Sequence, residues 1–386
     1  MTDPNLLMIP GPIGLTPQVL AALGTPQRGH LDPVFMKAFG SALKRLRAVF
    51  SAPAAQPFVV AGSGTLAMEL AVANLVQPGD RALVVNSGYF SDRVGRMLAL
   101  HGADVTHVRA EPGDLASLED VERALKGGGF KVMTITHVDT STAVLAPVQA
   151  LAVLGRANGA LVVVDGVCSV GGEALDMEGW GVDVAFTASQ KALGAPPGLG
   201  VLLASPRAME TFRARTHPVA AMYLDFAEWL PIMQAYEAGA PSYFATPAVN
   251  LVLALDVSLG QLLDETMPVR TARHVALARA ARAAWAALGL APVPRREALL
   301  ANTLSALRYP AGVDAALVKH VAAQGVNIAG GLHPALKTTS FRVGHMGSID
   351  AVALLGTIAA VERGLRASGY GFDVGAGVVA AQRALG

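Results

Sequence analysis

The chain is poor in charge. Only 15% of its 386 residues are Asp, Glu, Lys or Arg, well under the roughly 25% of an average soluble domain. The 30 basic and 29 acidic side chains leave a formal charge of +1. A protein that grips nucleic acid or an anionic surface through phosphates needs a basic excess or a Lys/Arg stripe, and none is present. Cysteine is nearly absent too: Cys168 is the single one, which excludes an intrachain disulfide framework. Long apolar runs are also lacking, despite a mean hydropathy of +0.44. The uncharged stretch 238–255 carries Pro241, Ser242, Thr246, Pro247 and Asn250, so it is no membrane-spanning helix. Met1-Thr2-Asp3-Pro4-Asn5 offers no basic region ahead of its short apolar run, which argues against a secretory signal. The expectation is a cytoplasmic protein with neither nucleic-acid nor membrane partners. At roughly 150 residues per domain, the length allows two or three units with cores large enough for an enzyme.

What the sequence does contain is alternation. From about residue 57, short β-branched apolar runs alternate with helix-period segments, separated by Gly, Pro or Asp, the pattern of a parallel sheet with crossover helices. Strands are expected at 58–60, 82–85, 104–108, 132–137, 161–164, 182–187 and 199–203. Their continuous hydrophobicity means that helices cover both faces. Helices are expected at 66–76, 92–101, 118–126 and 148–157, the last after Pro147. The fold class is therefore α/β, with a mainly parallel sheet. After Pro247 the composition changes, and the Ala/Leu/Arg-rich stretch 267–290 can only be helix. A boundary is placed near Glu265. Residues 1–15, with Pro4, Pro10 and Pro12, read as an extended arm. Residues 16–265 read as a large domain and 266–386 as a smaller α+β domain, with strands 302–308 and 340–343 and helices 313–324 and 349–366.

Three places carry chemistry. Gly62-Ser63-Gly64-Thr65-Leu66-Ala67 follows an expected strand and opens a helix, so its backbone N–H groups and positive dipole end suit a phosphate. The run also fits the G-x-G-x-x-[GA] dinucleotide fingerprint of nicotinamide dehydrogenases. That reading wants an acid at the end of the next strand, where Asn86-Ser87-Gly88 stands instead; a plain tight turn remains open. Asp165 follows Leu161-Val162-Val163-Val164, at the carboxyl end of a buried strand where such sheets place their ligands, though an acid there can simply cap the next turn. Lys191 stands among small residues and prolines in Ser189-Gln190-Lys191-Ala192-Leu193-Gly194-Ala195-Pro196-Pro197-Gly198. A desolvated lysine has a lowered pKa and attacks carbonyls, which makes Lys191 a Schiff-base candidate.

A lysine for an aldehyde, a carboxylate for a pyridinium nitrogen and a glycine-rich helix start for a phosphate are what pyridoxal phosphate requires. The sequence resembles the class V, fold-type I aminotransferases that use this cofactor, nearest the alanine/serine–glyoxylate group, over residues 10–366. The resemblance rests on Pro10-Gly11-Pro12, Gly62-Ser63-Gly64-Thr65, His137-Val138-Asp139-Thr140-Ser141-Thr142, Val164-Asp165-Gly166-Val167, Ser189-Gln190-Lys191 with the following Ala195-Pro196-Pro197-Gly198, Tyr243-Phe244-Ala245-Thr246-Pro247 and Phe341-Arg342-Val343-Gly344. It implies that Lys191 carries the cofactor and moves the substrate's α-proton, while Asp165 keeps the ring nitrogen charged. Ser63, Gly64, Thr65 and Gln190 would hold the phosphate, with Tyr243 and Thr246 reaching in from the partner of a homodimer. Thr140 would sit by the ring's 3-oxygen, Val167 would pack on one ring face, and Arg342 would clamp the substrate carboxylate. The expected reaction is transamination between alanine or serine and glyoxylate or another small 2-oxo acid.

Two departures from the family pattern stand out. The stacking aromatic is often Trp in relatives; here Gly88-Tyr89-Phe90-Ser91 offers Phe90, with Tyr89 second. Ala143 replaces a glycine that relatives carry after the His-x-[ED] element, which concerns the turn's geometry. His137, His217, His333 and His345 lack metal-ligand spacing, and no metal is expected. Trp180, Trp229 and Trp285 read as packing residues. Cysteine desulfurases, also class V, use a cysteine late in the chain, and none occurs beyond Cys168. Transamination of 2-aminoethylphosphonate or of a kynurenine derivative is the alternative within the class. A nicotinamide dehydrogenase and a non-catalytic cofactor-binding protein are more remote.

Overall fold

The computed structural model describes residues 5–386; residues 1–4 of the expected arm lie outside the described residues. Seven strands form the central sheet: β1 (Gln56–Ala61), β2 (Arg81–Asn86), β3 (Asp104–Arg109), β4 (Phe130–Thr136), β5 (Leu161–Asp165), β6 (Val184–Ala188) and β7 (Leu199–Ala204). Their spatial order is β1-β7-β6-β5-β4-β2-β3. Apart from the half-exposed edge strand β3, they are aliphatic runs buried on both faces, as a helix-covered sheet demands.

Strands β2 to β6 run parallel to one another. β7 does not: it pairs antiparallel with both β6 and β1, which corrects the expectation that 199–203 continues the parallel series. The reason lies in its connection. A parallel return needs a crossover of about a dozen residues or more, usually a helix, and the segment 189–198 contains none.

Local signals place the helices. Pro33–Val49 begins with Asp32 accepting from the N–H groups of Val34 and Phe35, followed by Pro33 at the first helical position. It buries Phe35, Phe39, Leu43 and Leu46, with Tyr236 stacked on Phe39 at 4.8 Å; each such side chain contributes about 1.5–3 kcal/mol. Val249–Glu265 packs against this helix and against Pro17–Leu23. Thr266, at φ +67, then turns the chain into Met267–Ala287.

A second core surrounds that long helix. Trp285, Leu317, Phe341, Ile358 and Leu365 meet there. A small antiparallel sheet of β8 (Leu304–Arg308), β9 (Ala329–Gly330) and β10 (Ser340–Gly344) stands in the order β8-β10-β9. The proline-bounded arm is not free: Leu6–Leu7 pairs parallel with Val326–Asn327, and Met8 is buried in the same core. Among the described residues no helix is long and apolar enough to cross a membrane, and no cluster of metal-ligand side chains forms.

Candidate active site

Every candidate of the large sheet leaves it at one edge. The carboxyl ends of β1, β2, β4, β5 and β6 lead respectively into Ser63, Phe90, Thr140, Asp165 and Lys191. In an open α/β sheet this edge is where ligands bind. Asp165 ends β5 beside Phe186 of β6, and Gly166 N–H donates to the Phe186 carbonyl at 2.8 Å, which joins the two loops. Gly62 N–H donates to the Gly198 carbonyl at 2.8 Å, so the glycine-rich turn is fastened to the lysine loop from the other side.

The helix Gly64–Leu75 starts two residues earlier than expected, which puts Gly64 and Thr65 in its first turn. Ser63 is exposed at the N-cap and its hydroxyl makes no capping bond, leaving the first N–H groups of the helix free for an anion. A Cβ on Gly64 would stand 3.0 Å from Val167 Cγ2 and 3.2 Å from Ala188 Cβ. Thr65 Oγ1 accepts from Arg93 at 3.0 Å. Gln190 has a side-chain oxygen that is buried without a partner among the described residues.

Lys191 Nζ donates to the Pro10 carbonyl. Gly11 sits against the lysine stem at φ +84, and a Cβ there would collide with Lys191 Cδ. The Pro10-Gly11-Pro12 motif therefore clears room for the lysine. Asp165 is 4% exposed and accepts one hydrogen bond, from Val167 N–H at 2.9 Å. Burial pushes its carboxyl up to about 7, opposed by that bond and by the Lys191 and Arg93 charges, and assisted by Asp139. It is an acid in a site one cation short.

Arg342, at the centre of β10, brings the second core to the same edge. Its Nε donates to the Gly330 carbonyl at 2.9 Å and its Nη1 to the Thr140 carbonyl at 3.3 Å. Burial lowers its pKa, and among the described residues no carboxylate pairs with it. Thr140 Oγ1 also meets Cys168 Sγ at 2.7 Å, so the cysteine is a buried neighbour of the site. Tyr243 and Thr246 are exposed in the single chain, on a segment without regular structure; Tyr243 packs on His30 at 5.2 Å between ring centroids.

Burial drops His137 and His345 to about 4; His345 bonds Asn302 and Ser305, while His137 stands edge-on to Trp180. His217 bonds Gln77, and His333 caps a short helical turn. Ala143 adopts φ +58, so the turn keeps a left-handed conformation although the residue is not glycine. An apolar cavity of about 420 Å³ opens elsewhere, beneath Trp285 and Leu304. Ala143 lines it, but none of the residues expected to bind cofactor or substrate does, and its Arg282 and Ser305 already have partners.

Three further residues belong to the site and were not singled out in the sequence. Asp139 is fully buried and binds the start of the helix Tyr89–Leu100. Arg93 lies over the Phe90 and Tyr89 rings at 4.9 and 5.1 Å; its spacing from them on one helix was the available signal. Arg270, 2% exposed, donates to the carbonyls of Gly171 and Ala192 at 2.7 and 2.8 Å, tying the loop after Asp165 to the residue after Lys191. Nothing local in the sequence marks it.

These residues fit pyridoxal phosphate: Gly11 and Gly64 allow close approach of backbone to Lys191 and Val167 where a Cβ would crowd them, the buried Asp165 has no ion-pair partner among the described residues, and the helix start offers unspent donors. Comparison with known proteins agrees. The family model of class V aminotransferases matches residues 20–346. The chain is 40% identical over 358 residues to alanine–glyoxylate aminotransferase 1 of Saccharomyces cerevisiae, covering 89% of this chain and 92% of that protein. It is 35% identical to the L-aspartate–glyoxylate aminotransferase of Paracoccus denitrificans, covering 99% and 96%. The crystal structure of ureidoglycine–glyoxylate aminotransferase from Bacillus subtilis superposes with a TM-score of 0.93 at 26% identity, covering 100% and 98%. The chain belongs to the class V aminotransferases, fold-type I enzymes that depend on pyridoxal phosphate.

Proposed function

We propose that the protein transfers an amino group between a small amino acid, alanine or serine, and glyoxylate or another small 2-oxo acid. The observation that carries this reading is the convergence of the Lys191 amine, the buried Asp165 carboxyl and the Arg342 guanidinium on one sheet edge. The glyoxylate aminotransferases among its relatives support the acceptor. Bound pyridoxal phosphate would supply a carbonyl for the amine and a ring that takes up the electron pair left when the α-proton departs.

The remaining work falls to the chain. Lys191 would hold the cofactor and, once released, move the proton at the substrate's α-carbon. Asp165, kept anionic by a pyridinium beside it, would hold the ring nitrogen charged. Ser63, Gly64, Thr65 and Gln190 would receive the phosphate, Phe90 and Val167 would face the ring, and Thr140 would stand by its 3-oxygen. Arg342 would take the substrate carboxylate in a two-pronged pair, which selects α-amino acids over simple amines. The exposure of Tyr243 and Thr246 supports a homodimer in which each subunit completes the other's phosphate site. In this reading residues 16–265 are the cofactor-binding domain, residues 266–386 the smaller domain, and the enzyme is cytoplasmic.

Borohydride reduction tests the central residue. Purified protein should be yellow, and reduction should fix the cofactor covalently to the peptide containing Lys191. A Lys191→Ala chain that retains a reducible covalent cofactor would overturn the assignment.

A further inference from the structure

We propose that Asp139 is a positioning residue that sets Phe90 against the cofactor by capping the helix Tyr89–Leu100. The inference rests on the transaminase reading above and deepens it.

The residue before this helix is Gly88, which has no side chain to cap the free N–H groups of the first turn. A distant loop supplies what is missing. Asp139 Oδ2 accepts from Phe90 N–H at 3.0 Å and from Ser91 N–H at the longer 3.5 Å. Its Oδ1 accepts from Ser141 N–H at 2.9 Å and from the Ser141 hydroxyl at 2.5 Å. That hydroxyl in turn accepts from Tyr89 N–H at 3.1 Å. The pair Asp139 and Ser141 thus serves all three leading amides of the helix.

The carboxyl is surrounded by donors and faces the positive end of the helix; burial raises its pKa, and the hydrogen bonds from Ser141, Phe90 and Ser91 oppose that rise. Gly88 is part of the device, because a Cβ there would stand 2.7 Å from both Asp139 Cγ and Ser141 Oγ. Phe90 is held at a second point by Arg93, whose guanidinium lies over its ring while bonding Thr65. Thr140, between the two capping residues, receives Arg342 on its carbonyl. One short loop therefore fixes the aromatic, the Thr140 hydroxyl and the substrate arginine together.

The test combines hydrogen exchange with cofactor titration on the full-length chain. In Asp139→Asn, the NH2 of the new side chain must face a donor on one side, either Ser141 N–H or the Phe90 and Ser91 N–H groups, so at least one of the amides of residues 90, 91 and 141 should exchange about 3- to 30-fold faster, the equivalent of a lost cap. The dissociation constant for pyridoxal phosphate should rise within the same range. Ser141→Ala keeps the Asp139 carboxyl and offers a milder perturbation; it should free the Tyr89 amide and weaken cofactor binding less. Phe90→Ala should weaken binding without freeing the amides. Because Asp139 acts through Phe90, the double variant Asp139→Asn/Phe90→Ala should bind no worse than Phe90→Ala alone. Additive losses, or unchanged exchange in both capping variants, would overturn the proposal. A wild-type chain that takes up no pyridoxal phosphate would overturn the transaminase reading instead, and the exchange data would still report on the cap.

Discussion

Asp165→Asn should strengthen the cofactor-free protein while weakening the loaded one. In the folded chain the Asp165 carboxyl titrates near 7 because it is buried with one backbone donor, against the usual 3.8. The folded state therefore holds this proton more tightly than the unfolded chain does. That contribution to stability is complete below about pH 4 and is lost as pH rises through about 7. At about 1.4 kcal/mol for each tenfold change in acidity, the gap amounts to about 4 kcal/mol at pH 8. Asparagine keeps an oxygen for Val167 N–H and never ionises. The cofactor-free variant should match wild type within about 1 kcal/mol at pH 4 and exceed it by about 3–4 kcal/mol at pH 8.

Urea unfolding of both proteins, stripped of cofactor and followed across that range, measures the difference directly. With pyridoxal phosphate bound the order should reverse, because the variant leaves a buried pyridinium without its anion, a loss of about 3–5 kcal/mol. A stability difference that stays flat from pH 5 to 8 would show that Asp165 is already ionised in the empty site, and the idea of a pocket built one cation short would fail.

The other expectations concern residues further from the ring. Arg342→Ala should lose about 2–5 kcal/mol in kcat/KM for alanine and glyoxylate, and Arg342→Lys should recover part of it; a lowered Tm with unchanged substrate discrimination would mean that the arginine only braces β10. Mixing Lys191→Ala chains with Thr246→Ala chains should restore activity through one intact hybrid site, and no recovery would return Thr246 to its own subunit or remove it from the site. At Ala143 the left-handed backbone costs an L-residue about 1–2 kcal/mol, while the methyl is 2% exposed and contributes about 0.8 kcal/mol. Ala143→Gly should therefore change thermal stability little, whereas Ala143→Val should lose about 1–3 kcal/mol, and a neutral valine would contradict the observed φ of +58.

Strand positions were legible because they depend on local composition: runs such as Leu161-Val162-Val163-Val164 are buried strands wherever they pair. Strand direction was not, since the sense of β7 follows from what its connection lacks rather than from its own residues. The arm shows the same limit. Prolines revealed that it could not be helical, but its pairing partner, Val326–Asn327, lies some three hundred residues away along the chain.

Helix starts divide the same way, and the division bears on the site. Where a helix carries its own cap, as with Ser117 accepting from Asp120 N–H, the expected start at 118 was correct. The helix Tyr89–Leu100 was expected from 92, because Gly88 gives no signal and the first turn looks like loop. Its true start depends on Asp139, which reaches it from beyond β4. Lys191 and Asp165 stand out as candidates because their type and neighbours are unusual, whereas Arg342 was indicated only by resemblance to the family. The groups that aim them, Asp139, Arg93 and Arg270, act across strand ends and loops, so their roles emerge only when the sheet brings those ends to one edge.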